Sequence, residues 1–177
     1  MITTVTDWTS CPGCGLRLPP HDGLSDHRVN ASPDCLQVYA EVVGFAYQHL
    51  TLMKWHQLTV DVYGGQHGGG KAPPIRLAYS LVGLHLAVDR DLAGDEVRAA
   101  HQRMGKPDPS WPAFIPPQDP KWPTVMTVAE RGVMVDSVAG HDAAVHGWAE
   151  EVWHAWRHQH EDVISLTRRL LPDIVSG

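Results

Sequence analysis

The sequence predicts an all-α protein, an up-down helical bundle with an N-terminal zinc knuckle and a proline-rich strap. Three observations carry that expectation. Apolar residues recur at helical spacing over several long segments joined by short connections. A Cys-Pro-Gly-Cys-Gly segment precedes the first of them, and seven prolines crowd between Gly105 and Thr124. The 177 residues suit a single domain, since domains typically run about 100–150 residues. Within it we expect a zinc-knuckle arm over 1–32, a three-helix core over 33–104, the strap over 105–124 and closing helices over 125–177.

Composition narrows the function classes. Hydrophobic residues make up 43% and charged residues 19%, as in an ordinary globular chain that can build a core. Acidic residues outnumber basic ones 20 to 14, the net charge is −6, and no Lys/Arg block is present, so nucleic acid is not an expected partner. No apolar run approaches the roughly 20 residues of a spanning helix, and the first ten residues lack a basic start and an apolar signal core. A soluble, cytoplasmic protein without membrane partners is expected. Against this background 12 histidines and 7 tryptophans stand out, and histidine is the commonest transition-metal ligand and the usual acid/base near neutral pH.

The arm holds all the sulfur chemistry. Cys11-Pro12-Gly13-Cys14-Gly15 has the spacing of a metal knuckle, in which proline and glycine allow the tight turn that two thiolates need to clasp one ion. Thiolates in a reducing compartment select zinc, whereas an odd cysteine count fits a disulfide poorly. A redox pair would need a helix after the motif, and Leu16-Arg17-Leu18-Pro19-Pro20 is not one. Unliganded thiols are the remaining alternative. Cys35 follows Ser32-Pro33-Asp34, an N-cap, a first-turn proline and a first-turn acid, so it sits at a helix start as the third ligand or as a small buried hydrophobe.

The first helix runs over 33–49, where Leu36, Val38, Tyr39, Val42, Val43, Phe45 and Ala46 keep helical spacing. A second spans 52–67 and stops at Gly68-Gly69-Gly70; a third spans 75–90, with Leu77, Leu81, Leu84 and Val88 as its stripe. Short links make neighbours antiparallel, so the end of helix two lies beside the start of helix one. His67 thereby approaches Cys35 and is the favoured fourth ligand. His56, 11 residues earlier and so about 16 Å away, cannot join the same site. His21 and His27 are rivals, and a water or substrate in the fourth position is the third option. That choice decides function, because a closed site is structural and an open one can activate water or a thiol.

Cys11-Pro12-Gly13-Cys14-Gly15, Ser32-Pro33-Asp34-Cys35 and the run from His56 to His67 resemble a bacterial family of unknown function, DUF5946. The segment from His146 to His160, with Trp148, Trp153 and Trp156, resembles its closing helix. The resemblance covers nearly the whole chain and implies a small helical, metal-binding protein without an assigned reaction. Gly64-Gly65 and Gly68-Gly69-Gly70 depart from it, and they are expected to loosen the end of helix two.

A second polar cluster is expected further along. On a helical projection Leu52, His56, Thr59, Tyr63, Gln66 and His67 share about a third of the circumference of helix two, with Lys54 and Asp61 opposite. His85 on helix three is level with His56, and Asp89, four residues on, can orient its imidazole. His56, Tyr63 and His85 are therefore the candidate acid/base or orienting residues, with buried, hydrogen-bonded histidines as the alternative. A last helix over 141–171 docks through Val145, Trp148, Val152, Trp156, Val163, Leu166 and Leu170. His154 and His158 have the spacing of a metal clasp but project away from that stripe, while His160 and His141 lie nearer the buried face. In the strap, Trp111, Phe114 and Trp122 are expected to insert into grooves, covering apolar surface or a pocket. Thr127 to Glu130 has capping-box spacing and suggests a short helix there.

Two functions follow. In one, zinc on Cys11, Cys14, Cys35 and His67 fastens the arm to the bundle beside a histidine-lined pocket for a small molecule. In the other, zinc on the three cysteines keeps an open position and supports hydrolysis or group transfer. No phosphate loop, Gly-x-Ser-x-Gly elbow or His-Glu-x-x-His motif identifies a substrate. Oligomeric state is not legible.

Overall fold

A computed structural model of the protein describes residues 8–23, 25–105, 110–118 and 122–175. The fold is all-α apart from one hairpin. β1 (Thr9–Ser10) and β2 (Arg17–Leu18) pair antiparallel, Thr9 opposite Leu18 and Ser10 opposite Arg17, and the knuckle is the turn between them. The Cys11 N–H donates to the Leu16 carbonyl and the Gly15 N–H to the Cys11 carbonyl, both at 2.8 Å. Gly15 takes the left-handed φ of 73° that the turn needs. Gly13 has a different reason: a Cβ there would stand 2.6 Å from the His67 ring.

The first helix, α1 (Pro33–Gln48), starts as expected, with the Ser32 hydroxyl accepting the Cys35 N–H at 3.3 Å. The second differs at its start. Leu50–Trp55 is a 3₁₀ turn, and the α-helix α2 covers only His56–Gln66. Its glycines do not loosen it. A Cβ at Gly64 would collide with the Ser80 hydroxyl, and one at Gly65 would sit 2.9 Å from Leu84, so both residues let α3 (Pro74–Leu84) approach closely. Helix three then widens into a π turn, His85–Asp89.

A further helix, α4 (Gly94–Met104), lies in the core segment where three helices were expected. It buries Val97, Ala100 and Met104, and the Glu96 carboxylate accepts the Ala93 N–H at 2.8 Å. Its stripe is narrow and its composition polar, which hides it from an apolar-periodicity reading. In the strap, residues 110–118 contain no helix or strand, as the prolines dictate. Phe114 is buried, and Trp111 and Trp122 are partly buried against the core. Pro107, Pro109 and Pro120 lie outside the described residues. The short helix α5 (Val125–Val128) is capped by Thr124, not Thr127, and runs into a second π turn, Ala129–Val133.

The long closing helix expected over 141–171 is broken. α6 (Val138–Ala155) is followed by a 3₁₀ turn, Arg157–Gln159, then α7 (His160–Leu170), with α8 (Pro172–Val175) as a last turn. The break serves burial of Trp156, whose indole N–H donates to the Gly65 carbonyl at 3.1 Å. His160 folds back to stack on Trp153 at 3.8 Å and bonds the Trp153 carbonyl at 2.9 Å. At the centre Trp148 donates to Gln66 Oε1 at 3.1 Å, while the Gln66 amide donates to the Pro123 carbonyl at 2.7 Å. Around it pack Val62, Leu81, Leu84, Val145, Val152 and Val163, each contributing about 1.5–3 kcal/mol on burial. No described helix is long and apolar enough to cross a membrane.

Candidate metal centre

The antiparallel course of α1 and α2 brings the end of α2 to the start of α1, and the arm's hairpin closes over both. Its turn contributes Cys11 and Cys14, the first turn of α1 contributes Cys35, and the residue after α2 contributes His67. One ligand atom from each of these residues lies within 4.8 Å of all the others. Cys14 Sγ is 3.8 Å from Cys35 Sγ, and Cys35 Sγ is 3.4 Å from His67 Nε2. A tetrahedral zinc with bonds of about 2.3 Å to sulfur and 2.0–2.1 Å to nitrogen requires edges of about 3.8 Å and 3.6 Å. Two edges are close to these values, and all four donor atoms are near enough to one another to hold a metal ion.

Each ligand is held from behind. His67 Nδ1 pairs with the Tyr63 carbonyl at 2.8 Å, which fixes the tautomer that leaves Nε2 free for a metal. The Asn30 N–H donates to the His67 carbonyl at 2.8 Å and ties the arm to the end of α2. The Tyr63 hydroxyl donates to Cys35 Sγ at 3.6 Å, and its ring stacks on Tyr39 at 3.9 Å. The Ser32 N–H points at Cys11 Sγ at 3.4 Å. Electrostatically the three sulfurs compete. Hydrogen bonds from Cys14 and Cys35 push the Cys11 thiol far down, while its thiolate holds Cys14 up to about 12 and pushes Cys35 up too. Such a cluster carries one thiolate readily and three only beside a cation. Cys11, Cys35 and His67 are buried, and Cys14 is partly exposed beneath an opening of about 350 Å³ lined by the knuckle, Pro117 and Trp122.

The rival ligands stay outside. The rings of His21 and His27 are exposed, and the His21 contribution is structural, its backbone N–H donating to the Asp34 carboxylate.

The expected acid/base residues separate. Tyr63 belongs to the metal centre. His85 Nδ1 meets Asp89 Oδ2 at 3.0 Å, as the i, i+4 spacing predicts, and Trp153 donates to the other Asp89 oxygen at 2.8 Å. His85 Nε2 is buried without a hydrogen-bond partner among the described residues. His56 instead packs against the Tyr47 ring at 5.2 Å, and burial lowers its pKa. The meeting of His56 with His85 is not seen, because α2 faces α3 through Asp61, Gly64 and Gly65, about 80–180° round the helix from His56. His154 and His158 are exposed, His158 bonding the Ile115 carbonyl at 2.9 Å, and His141 is buried against Phe45 and Gly132.

Sequence reading missed one polar group. Asp61, placed opposite the inward strip, is buried where α2, α3 and α4 meet. Gln57 Nε2 donates to both its oxygens at 3.1 Å, and His101 Nε2 is 3.9 Å away. Burial raises the Asp61 pKa well above the usual carboxylate range and pushes His101 down to about 4. The one local signal was the Gln57/Asp61 spacing, and α4, which supplies His101, was not foreseen.

Fold and site together define a small helical protein with a metal-competent Cys₃His centre at the junction of arm and bundle. Residues 9–157 match the model of the family of unknown function DUF5946, and the chain belongs to that family. No curated protein and no solved structure matches the chain.

Proposed function

We propose that the protein binds one zinc ion through Cys11, Cys14, Cys35 and His67, and that this ion fastens the N-terminal arm to the bundle. The observation that carries the reading is the convergence of four soft and borderline donors, from three separate segments, to within 4.8 Å of one another. Four protein ligands close the coordination sphere, the signature of a structural ion whose binding energy is folding energy. Thiolate ligation of this kind suits a reducing compartment, in line with a cytoplasmic location.

A second reading rests on the partial exposure of Cys14 under the knuckle opening. If Cys14 exchanges for a substrate, the ion becomes a Lewis acid for hydrolysis or group transfer. Metal analysis by mass spectrometry, combined with thermal unfolding before and after chelation, separates the readings. About one zinc per chain with collapse of the arm on chelation supports the structural role. A folded apoprotein that binds no zinc at micromolar concentration refutes both.

A further inference from the structure

We infer that the groove between α1 and the turn preceding α6 docks a cationic amphipathic α-helix of a partner protein. The groove encloses about 390 Å³ and is lined by Glu41, Gly44, Phe45, Gln48, Val133 and Asp136. Its floor is apolar, formed by Phe45 and Val133. Met134 and Val135, which follow Val133 in the chain, are 64% and 63% exposed, an unusual state for two adjacent large apolar side chains.

Gly44 supplies an independent sign. It sits inside α1, where glycine costs helix propensity, yet a Cβ there would meet nothing within 4 Å. Gly64 and Gly65 are required by close approach of α3, whereas no packing among the described residues requires Gly44. A smooth, glycine-floored channel along a helix is what close approach of a second helix needs.

Charge selects the occupant. The lining carries two carboxylates and no basic residue. Glu41 and Gln48 are seven residues apart, about 10 Å along α1, and Asp136 stands at the Gln48 end, 3.8 Å from His49. The last turn of α1 holds no basic residue, so its carbonyl ends add negative potential there. A helix with apolar residues at i, i+3, i+4 and i+7 and lysine or arginine two turns apart on its flanks matches both floor and ends. A second copy of this chain does not, because two negative grooves would meet and the chain carries a net charge of −6.

The test is fluorescence anisotropy with a labelled Leu/Ala/Lys helix of about 18 residues in that pattern, and with its Lys-to-Glu counterpart. The lysine peptide should bind saturably, weaken with salt, and lose affinity about 10-fold or more against Gly44→Trp and against the Glu41→Lys/Asp136→Lys pair. The glutamate peptide should not bind. Gly44→Ala checks that the position is free, raising Tm by about 2–4 °C. Absence of lysine-peptide binding, or equal binding by wild type and Gly44→Trp with unchanged Tm, overturns the inference. So does a wild-type dimer in sedimentation that Gly44→Trp dissolves, because the groove would then belong to a second copy.

Discussion

Cys35→Ser and His67→Ala each remove one corner of the tetrahedron, and zinc content after purification should fall from about one per chain to well below half. Tyr63→Phe keeps all four ligands and deletes only the hydroxyl that bonds Cys35 Sγ. Zinc should then be retained at a stability cost of about 1 kcal/mol in urea unfolding. If Tyr63→Phe strips the metal as completely as Cys35→Ser does, the hydroxyl has a larger part than its geometry allows. Asp61 and His101 set a pH dependence. The Asp61 pKa is raised by folding, so its contribution is full below its unfolded value of about 4 and is lost as pH rises through the folded value. The His101 pKa is lowered to about 4 from 6.5, so its contribution is full above 6.5 and lost as pH falls towards 4. Asp61→Asn removes the first term alone. The stability of the variant relative to wild type should therefore grow as pH rises above about 4; a constant or shrinking difference in urea titrations would contradict the buried-acid assignment.

Helices were legible wherever their apolar periodicity was uninterrupted. α1 was readable to its cap, since Ser32, Pro33 and Asp34 act within one turn and need no tertiary partner. Three things were not readable. The glycines of α2 look like helix breakers in one dimension and become packing surface only when α3 lies across them. The closing helix has no proline or glycine at Trp156, because its break is set by a bond to a carbonyl 91 residues away. α4 is too polar for its narrow stripe to stand out. These points make a quantitative expectation. Gly64→Ala places a methyl against Ser80 and should destabilise by about 1–3 kcal/mol despite its better helix propensity, measured by urea unfolding. Indifference to that substitution would mean that α2 and α3 do not cross so closely.

For the molecule as a unit, the candidate metal centre lies at the seam between a small hairpin arm and a large helical core. The arm is too short to bury a core of its own; the Asn30–His67 backbone bond and the packing of Leu16 and Val29 tie it to the bundle, and an ion on the four donors would add to them. Chelation should therefore act unevenly. Limited proteolysis of chelated protein should cut the arm first and leave the tryptophan core folded, with the Tm lowered by several degrees. Cleavage that starts in the strap and spares the arm would show that the strap is the weaker seam.

What the chain alone dictated was local: the knuckle turn, the capped start of α1, the proline-bound strap, and an i, i+4 pair such as His85 and Asp89. Each depends on residues within a few positions of one another, whose geometry peptide sterics impose. His67 could be favoured because short connections make neighbouring helices antiparallel. Its selection over His21 and His27 required the packed fold. The separation of His56 from His85, the burial of Asp61 and the bend at Trp156 were likewise decided in three dimensions. Such outcomes hinge on which faces of distant helices meet, and that rotation is fixed by side-chain packing across the core and leaves little trace in linear order.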